Sequence, residues 1–475
     1  MNCGLLRFLF AGAVVGCLVA VPAHAHVTDR AFVLLLPTHL YAWGGALTVA
    51  VSFVVMALIP AARLRFTETA ATGAAGWGHR PHYGLCYVSL AAIVILIIAG
   101  YVGDRDPLSN PLPTVIWTIW WVGFTMVHAV FGNLWSVINP WRGLYDLVTS
   151  GLRLDGWREA PPFTYPVRLG FLPAIVLFLA FAWFELVYLS PQDPTDIANA
   201  VIVYALITLA GMLLFGERDW LHYGEAFSVF FRIVSWLSPV KKLSAPPRYT
   251  IAVPGRWLLD IGILRLSGVV FVLLVLSSVS FDGLSRTFWW VAALAGENPL
   301  EYSGRSAVTA INTVGLIGTF AALFAAYVVA VLSGRWLAGF SVSTMESLGR
   351  YVVSIVPIAF GYHFAHYLPA FIIDGQYAVR ALSDPFALGW DLFGTAGMHV
   401  HAAILNNHET VRLVYNLQVG GIVVAHVMAV AVAHLLAMQQ AEHSRQAILS
   451  QIPMTALMIG YTIFGLWLLS SPTVG

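Results

Sequence analysis

Ten apolar runs constrain this chain more than any motif does. They lie near residues 31–60, 85–103, 114–138, 169–189, 197–215, 263–281, 306–332, 351–373, 413–438 and 453–471. A helix needs about 20 such residues to cross hydrocarbon, because every backbone group must find its partner within the segment. Pro, Gly, Asn or Asp marks many of the ends, as at Ile59-Pro60, Asn139-Pro140 and Ser190-Pro191. Composition agrees: 59% hydrophobic and 10% charged residues in 475 leave too little polar surface for a water-soluble domain. The expected fold class is an all-α integral membrane protein, with about ten transmembrane helices in one polytopic domain over residues 26–475. A net charge of +1 gives no electrostatic basis for binding nucleic acid.

The first residues read as a signal peptide over 1–25. A charged start ending at Arg7 leads into an apolar run to Val21, and Ala23-His24-Ala25 supplies an A-x-A cleavage site. Cleavage there makes His26 the mature amino terminus. An uncleaved anchor, or a lipoprotein-like cut at Val14-Val15-Gly16-Cys17, is the alternative, but the apolar run continues past Cys17. The Ala25 cut removes Cys3 and Cys17 and leaves Cys86, so neither a disulfide nor a cysteine metal framework is expected. A cleaved signal starts the mature chain outside, which puts the loops after odd-numbered helices in the cytoplasm. Those loops hold sixteen Arg and Lys, against six outside: Arg30, Arg105, Arg286, Arg305, Arg380 and Arg412. The positive-inside rule thus places the protein in a bacterial inner (cytoplasmic) membrane with both mature termini periplasmic.

Chemistry is sought first between Tyr351 and His408. His363 and His366 stand three residues apart on a helix, hence on one face, and the loop Ser383 to Gly397 after it carries Asp384 and Asp391. His399, His401 and His408 follow on the same membrane side. Imidazoles and carboxylates in this number can hold a divalent metal, with His363, His366, Asp391 and His26 as ligands, although bundle histidines also hydrogen-bond across helices. Glu185, near the outer end of the fourth run, fits a proton relay or a snorkelling interfacial acid. His426 and His434 are eight residues apart, about 12 Å along a helix, too far to share one ion but suited to a relay or to packing. His128 reads as a hydrogen-bonded bundle histidine. Trp220 to Pro239 mixes charge and aromatics like an interfacial amphipathic helix, and Trp117, Trp120 and Trp121 fit an aromatic belt.

No G-x-S-x-G elbow, H-E-x-x-H helix, phosphate-binding G-x-x-x-x-G-K loop or desaturase-type histidine box occurs. No pair of inverted repeats stands out, which weakens a transporter reading.

Several runs carry a resemblance. They are Leu36-Pro37, Ser52 to Val55, Ile119 to Gly123, Ile138 to Arg142, Phe178 to Trp183, Gly224 to Ser228, Gly361 to His363 with Ala365 to Tyr367, Ser383 to Gly397, and Gln451 to Met458. Over nearly the whole mature chain they resemble a bacterial multi-pass family of fenitrothion hydrolases, and Ser383 to Gly397 is the most specific part. Relatives are expected to differ at Asn133, His399 and His401, which leaves His363, His366, Asp384 and Asp391 as the candidate catalytic residues. The resemblance implies hydrolysis of a hydrophobic organophosphorus triester within the bilayer. A metal-activated water attacking phosphorus is the chemistry expected of a divalent ion there, its identity open. The alternative is periplasmic copper transport or handling, in which the amine and imidazole of His26 chelate one ion. The expected partners are the substrate and the lipid bilayer, with a membrane-protein partner or a homo-oligomer left open.

Overall fold

The computed structural model describes residues 38–59, 83–244, 247–295, 305–401 and 407–471. In chain order its main helices are α1 (Thr38–Leu58), α2 (Gly84–Val102), α3 (Pro111–Phe131), α4 (Pro140–Gly151), α5 (Leu172–Leu186) and α6 (Pro194–Phe215). There follow α7 (Ala226–Val234), α8 (Leu266–Ser285), α9 (Arg305–Ala338), α10 (Thr344–Ser383), α11 (His408–Gln440) and α12 (Ser444–Ser470). An antiparallel hairpin, β1 (Val240–Ser244) with β2 (Pro247–Ile251), pairs Val240 with Ile251. Among the described residues nine helices, all but α4, α5 and α7, are long and apolar enough to cross a membrane. The chain is a multi-pass, helical membrane protein. The signal segment, His26 and residues 31–37 of the first apolar run lie outside the described residues.

Nine of the ten apolar runs coincide with these helices, and the differences have local causes. The run at 169–189 forms only the 15-residue α5, since Gly170 at φ 52 precedes it and the helix ends at Leu186. α12 begins at Ser444 because Pro453, read as a start, sits inside the helix. α10 continues past residue 373 to Ser383 although its last turns are polar. α3 stops at Phe131, where Gly132 takes φ 88, a left-handed value that favours glycine.

The helices form two compact units. The first comprises residues to Glu68, Leu258–His366 and Asn407–Gly475. In it α8 and α11 are the most buried of the long helices, and α12 packs against α1, α9 and α11. α10 enters this unit and continues into the other, the division falling between His366 and Tyr367. Pro369 cannot donate to the carbonyl of Ala365, and the Gln418 amide takes that acceptor instead at 2.7 Å.

The second unit comprises Thr69–Trp257 and Tyr367–Asn406. Its helix starts are capped by side chains: Asn110 accepts from Leu112 N–H, Asn139 from Trp141 N–H, and Asp193 from Thr195 and Asp196 N–H. Proline occupies the first turn in all three, where its missing N–H costs nothing. The core is aromatic, with Trp121 and Phe230 rings 5.2 Å apart and Phe178 stacked on Phe230. Trp220 lies in a notch formed by Gly211 and Gly224, where an added Cβ would come within 2.2 Å and 2.5 Å of its ring.

Within the segment read as an interfacial helix, Trp220 to Pro239, α7 is buried instead. In α7 every residue but Arg232 is buried. The aromatic-belt reading of Trp121 is corrected likewise, since that side chain is only 2% exposed and belongs to the core.

Candidate functional site

The strongest polar centre of the first unit joins α10 to α8. His363 and His366 are one turn apart, and His363 is buried. Nε2 of His366 lies 2.8 Å from Oδ2 of Asp282, whose other oxygen accepts from Arg286 Nε at 2.8 Å. Asp282 is 2% exposed, whereas Arg286 is 57% exposed on its side chain. A carboxylate in the last turn of α8 faces the negative end of the helix dipole, so the imidazole and guanidinium offset an unfavourable position. Nε2 of His366 donates to the Asp282 carboxylate. Gly283 lies beside the ring: a Cβ there would stand 3.8 Å from Nδ1, in ordinary contact. A carboxylate that fixes the tautomer of a partly exposed imidazole is the arrangement of an oriented general base.

Asp282 was not among the residues expected from the sequence. It closes an apolar run, and its local signal is Arg286 four residues later on the same helix.

The ninth-run histidines are engaged differently. His426 donates from Nδ1 to Ile422 O at 2.9 Å, while its Nε2 is buried with no hydrogen-bond partner among the described residues. His434 packs edge-on to Phe53, and its Nδ1 is likewise buried and unpartnered. No direct hydrogen bond therefore joins the two into a relay.

In the second unit, Glu185 Oε1 accepts from Trp121 Nε1 at 3.0 Å and from Tyr367 O–H at 2.8 Å. These donors tie the partly exposed Glu185 carboxylate to α3 and α10. His128 is a hydrogen-bonded bundle histidine, as expected: Nδ1 donates to Phe124 O at 2.7 Å and Nε2 accepts from Trp135 N–H at 2.9 Å.

A second buried carboxylate, Glu225, is fully enclosed. It caps α7 by accepting from the N–H groups of Phe227 at 3.0 Å and Ser228 at 2.6 Å, and it also takes the Tyr204 hydroxyl and Trp135 Nε1. Gly224 to Ser228 was legible as a motif, but not as a cap.

The loop after α10 is built around its own carboxylates. Asp384 accepts from Leu388 N–H at 2.9 Å and Gly389 N–H at 2.8 Å. Asp391 Oδ1 accepts from the Ser383 hydroxyl at 2.8 Å and Ala396 N–H at 2.9 Å. The Ala396 N–H and then the Ser383 hydroxyl hold the Asp391 carboxyl below its ordinary value. His399 and His401 stand edge to face with centroids 5.0 Å apart.

Among the described residues, no three His, Cys, Asp or Glu side chains converge in a way that would hold a metal ion. The second unit carries a partly open apolar cavity of about 940 Å³, walled by Trp117, Trp120, Phe181, Phe184, Tyr204 and Phe227. Compared with protein-family models, curated proteins and solved structures, the chain matches none of them.

Proposed function

We propose that the protein is a membrane-embedded hydrolase of hydrophobic organophosphorus triesters, in which His366, oriented by Asp282, activates water. The 2.8 Å contact between His366 and Asp282 carries this reading, and the family resemblance in the sequence supplies the substrate class. The His366 imidazole takes a proton from water as the water oxygen bonds to phosphorus. The P–O bond to the aryl group breaks, and the aryloxide leaves with the electron pair. The new phosphodiester loses its remaining proton to solvent, as does the imidazolium. Asp282 stabilises that imidazolium, and general-base assistance of this kind contributes about 10²–10⁴-fold.

The setting proposed is a bacterial inner membrane, crossed ten times after removal of residues 1–25, with both mature termini periplasmic. The ion pair of Arg142 and Glu217 supports the count of ten, since it requires the chain on either side of α5 and α6 to return to one membrane face.

The test is release of nitrophenolate from fenitrothion or a paraoxon-type ester by purified full-length protein, with metal analysis of the same sample. Turnover in the wild type that is lost in Asp282→Asn and His366→Ala is expected. Stoichiometric bound copper without turnover would replace this reading with metal handling.

A further inference from the structure

Beside the apolar cavity of the second unit lies a polar pocket of about 360 Å³. Three arginines line it, Arg142, Arg218 and Arg232, together with the amide of Asn133 and the hydroxyl of Ser228, which accepts from Asn139 Nδ2 at 3.3 Å. The one carboxylate in its wall, Glu217, is held by Arg142 Nε and by the Tyr83 hydroxyl at 3.1 Å. Arg142 and Glu217 cancel, which leaves the pocket two positive charges in excess. Arg232 is anchored by donating from Nη2 to His222 O at 2.7 Å, and its guanidinium lies over the Phe171 ring.

The two spaces meet at Trp135, which lines both. The chain after it sorts its side chains between them: Ile138, Pro140 and Trp141 line the apolar cavity, whereas Ser136, Asn139 and Arg142 line the cationic pocket. The start of α7 does the same, with Phe227 on the apolar side and Ser228 on the polar side. A ligand that satisfies both is apolar along most of its length and doubly oxygenated, with negative charge, at one end. Guanidinium groups bind phosphate through paired N–H donors, and amide and hydroxyl donors complete such a shell. The cavity is at the upper end of the range for small-molecule sites, about 300–1,000 Å³.

We infer that the second unit binds a phosphate-headed amphiphile, an anionic phospholipid in type, with its headgroup among Arg142, Arg218 and Arg232 and its chain in the aromatic cavity. This site is independent of the hydrolysis proposed above and uses none of its residues.

Native mass spectrometry of the full-length protein in neutral detergent tests it with three probes: dioctanoyl phosphatidylglycerol, neutral dioctanoylglycerol and inorganic phosphate. The phosphatidylglycerol is expected to bind at least about tenfold more tightly than either of the others. Arg218→Gln and Arg232→Gln are each expected to weaken it about tenfold, the scale of one charge-assisted contact, while Arg168→Gln leaves it unchanged. Arg218 is exposed, so its variant keeps the test decisive even where Arg232→Gln fails to fold. Equal binding of dioctanoylglycerol would reduce the site to an apolar hole. Equal binding of phosphate would make it a soluble-anion site, and either result, or indifference to both arginine variants, overturns the inference.

Discussion

His366 and Asp282, 84 positions apart, are joined by a hydrogen bond of 2.8 Å between an imidazole and a carboxylate that is 2% exposed. Asp282→Asn keeps the size of the side chain but removes the charge that stabilises an imidazolium. Hydrolysis is expected to fall about 10²–10⁴-fold in Asp282→Asn and in His366→Ala, with insertion and yield preserved. His128→Ala should retain most activity, because both His128 nitrogens are committed to backbone groups. Arg286→Ala should cost less than about 1 kcal/mol of stability, as its guanidinium is largely exposed. Equal turnover in wild type and Asp282→Asn would remove His366 from the mechanism.

Glu225 gives a prediction about stability alone. Four donors converge on its carboxylate: two backbone N–H groups, the Tyr204 hydroxyl and the Trp135 indole. Glu225→Gln turns an amide NH₂ toward some of them, so a loss on the order of 3 kcal/mol is expected, with about 1 kcal/mol for Tyr204→Phe. Denaturation of the purified variants in detergent measures both, and a wild-type profile for Glu225→Gln would show that this cap does not hold α7 in place.

What the sequence conveyed was what can be read along the chain. Apolar runs located nine long helices, though not all of their ends, because length and hydropathy decide spanning locally. Partnerships across the fold were hidden. Nothing near Asp282 points to His366, and nothing near Glu225 points to Tyr204, since each pair is made by packing of separate helices. Trp121 and the α7 segment were misread for the same reason: an aromatic near a helix end and a mixed polar-aromatic stretch look alike whether they face lipid, water or other helices. The last apolar run was read as starting at Pro453, yet α12 carries that proline in its interior.

The loop after α10 should respond to acid through Asp391. Its carboxyl is held below the ordinary value of 3.8 by the Ala396 N–H and the Ser383 hydroxyl, so the folded loop favours the ionised form. The stabilisation is fully present above that ordinary value and is lost as pH falls through the lower folded one. Hydrogen exchange of residues 383–397, followed from neutral pH down through the carboxylate range, should rise only at its acid end. In Asp391→Asn it should be raised throughout and flat, and a flat wild-type profile would remove the carboxylate from the account.

Topology offers the last prediction, and α5 is where it is most exposed to failure. At 15 residues α5 spans about 22 Å, short of the roughly 30 Å hydrocarbon layer, so length alone argues against a crossing. Arg142 and Glu217 argue for one. They form an ion pair across the segment that contains α5 and α6, and α6, with 22 residues, is long enough to cross by itself. A single crossing between the two residues would put them on opposite faces, so in the proposed ten-crossing topology α5 crosses as well, the bilayer thinning or the flanking residues reaching to meet it. Reporter fusions after Leu152 and after Leu243 should therefore both read cytoplasmic. A fusion after Ala378, beyond α8 and α9 and near the end of α10, should read periplasmic. Opposite signals at Leu152 and Leu243 would remove the α5 crossing, and a cytoplasmic signal at Ala378 would reverse the placement of the loop from Ser383 to Gly397.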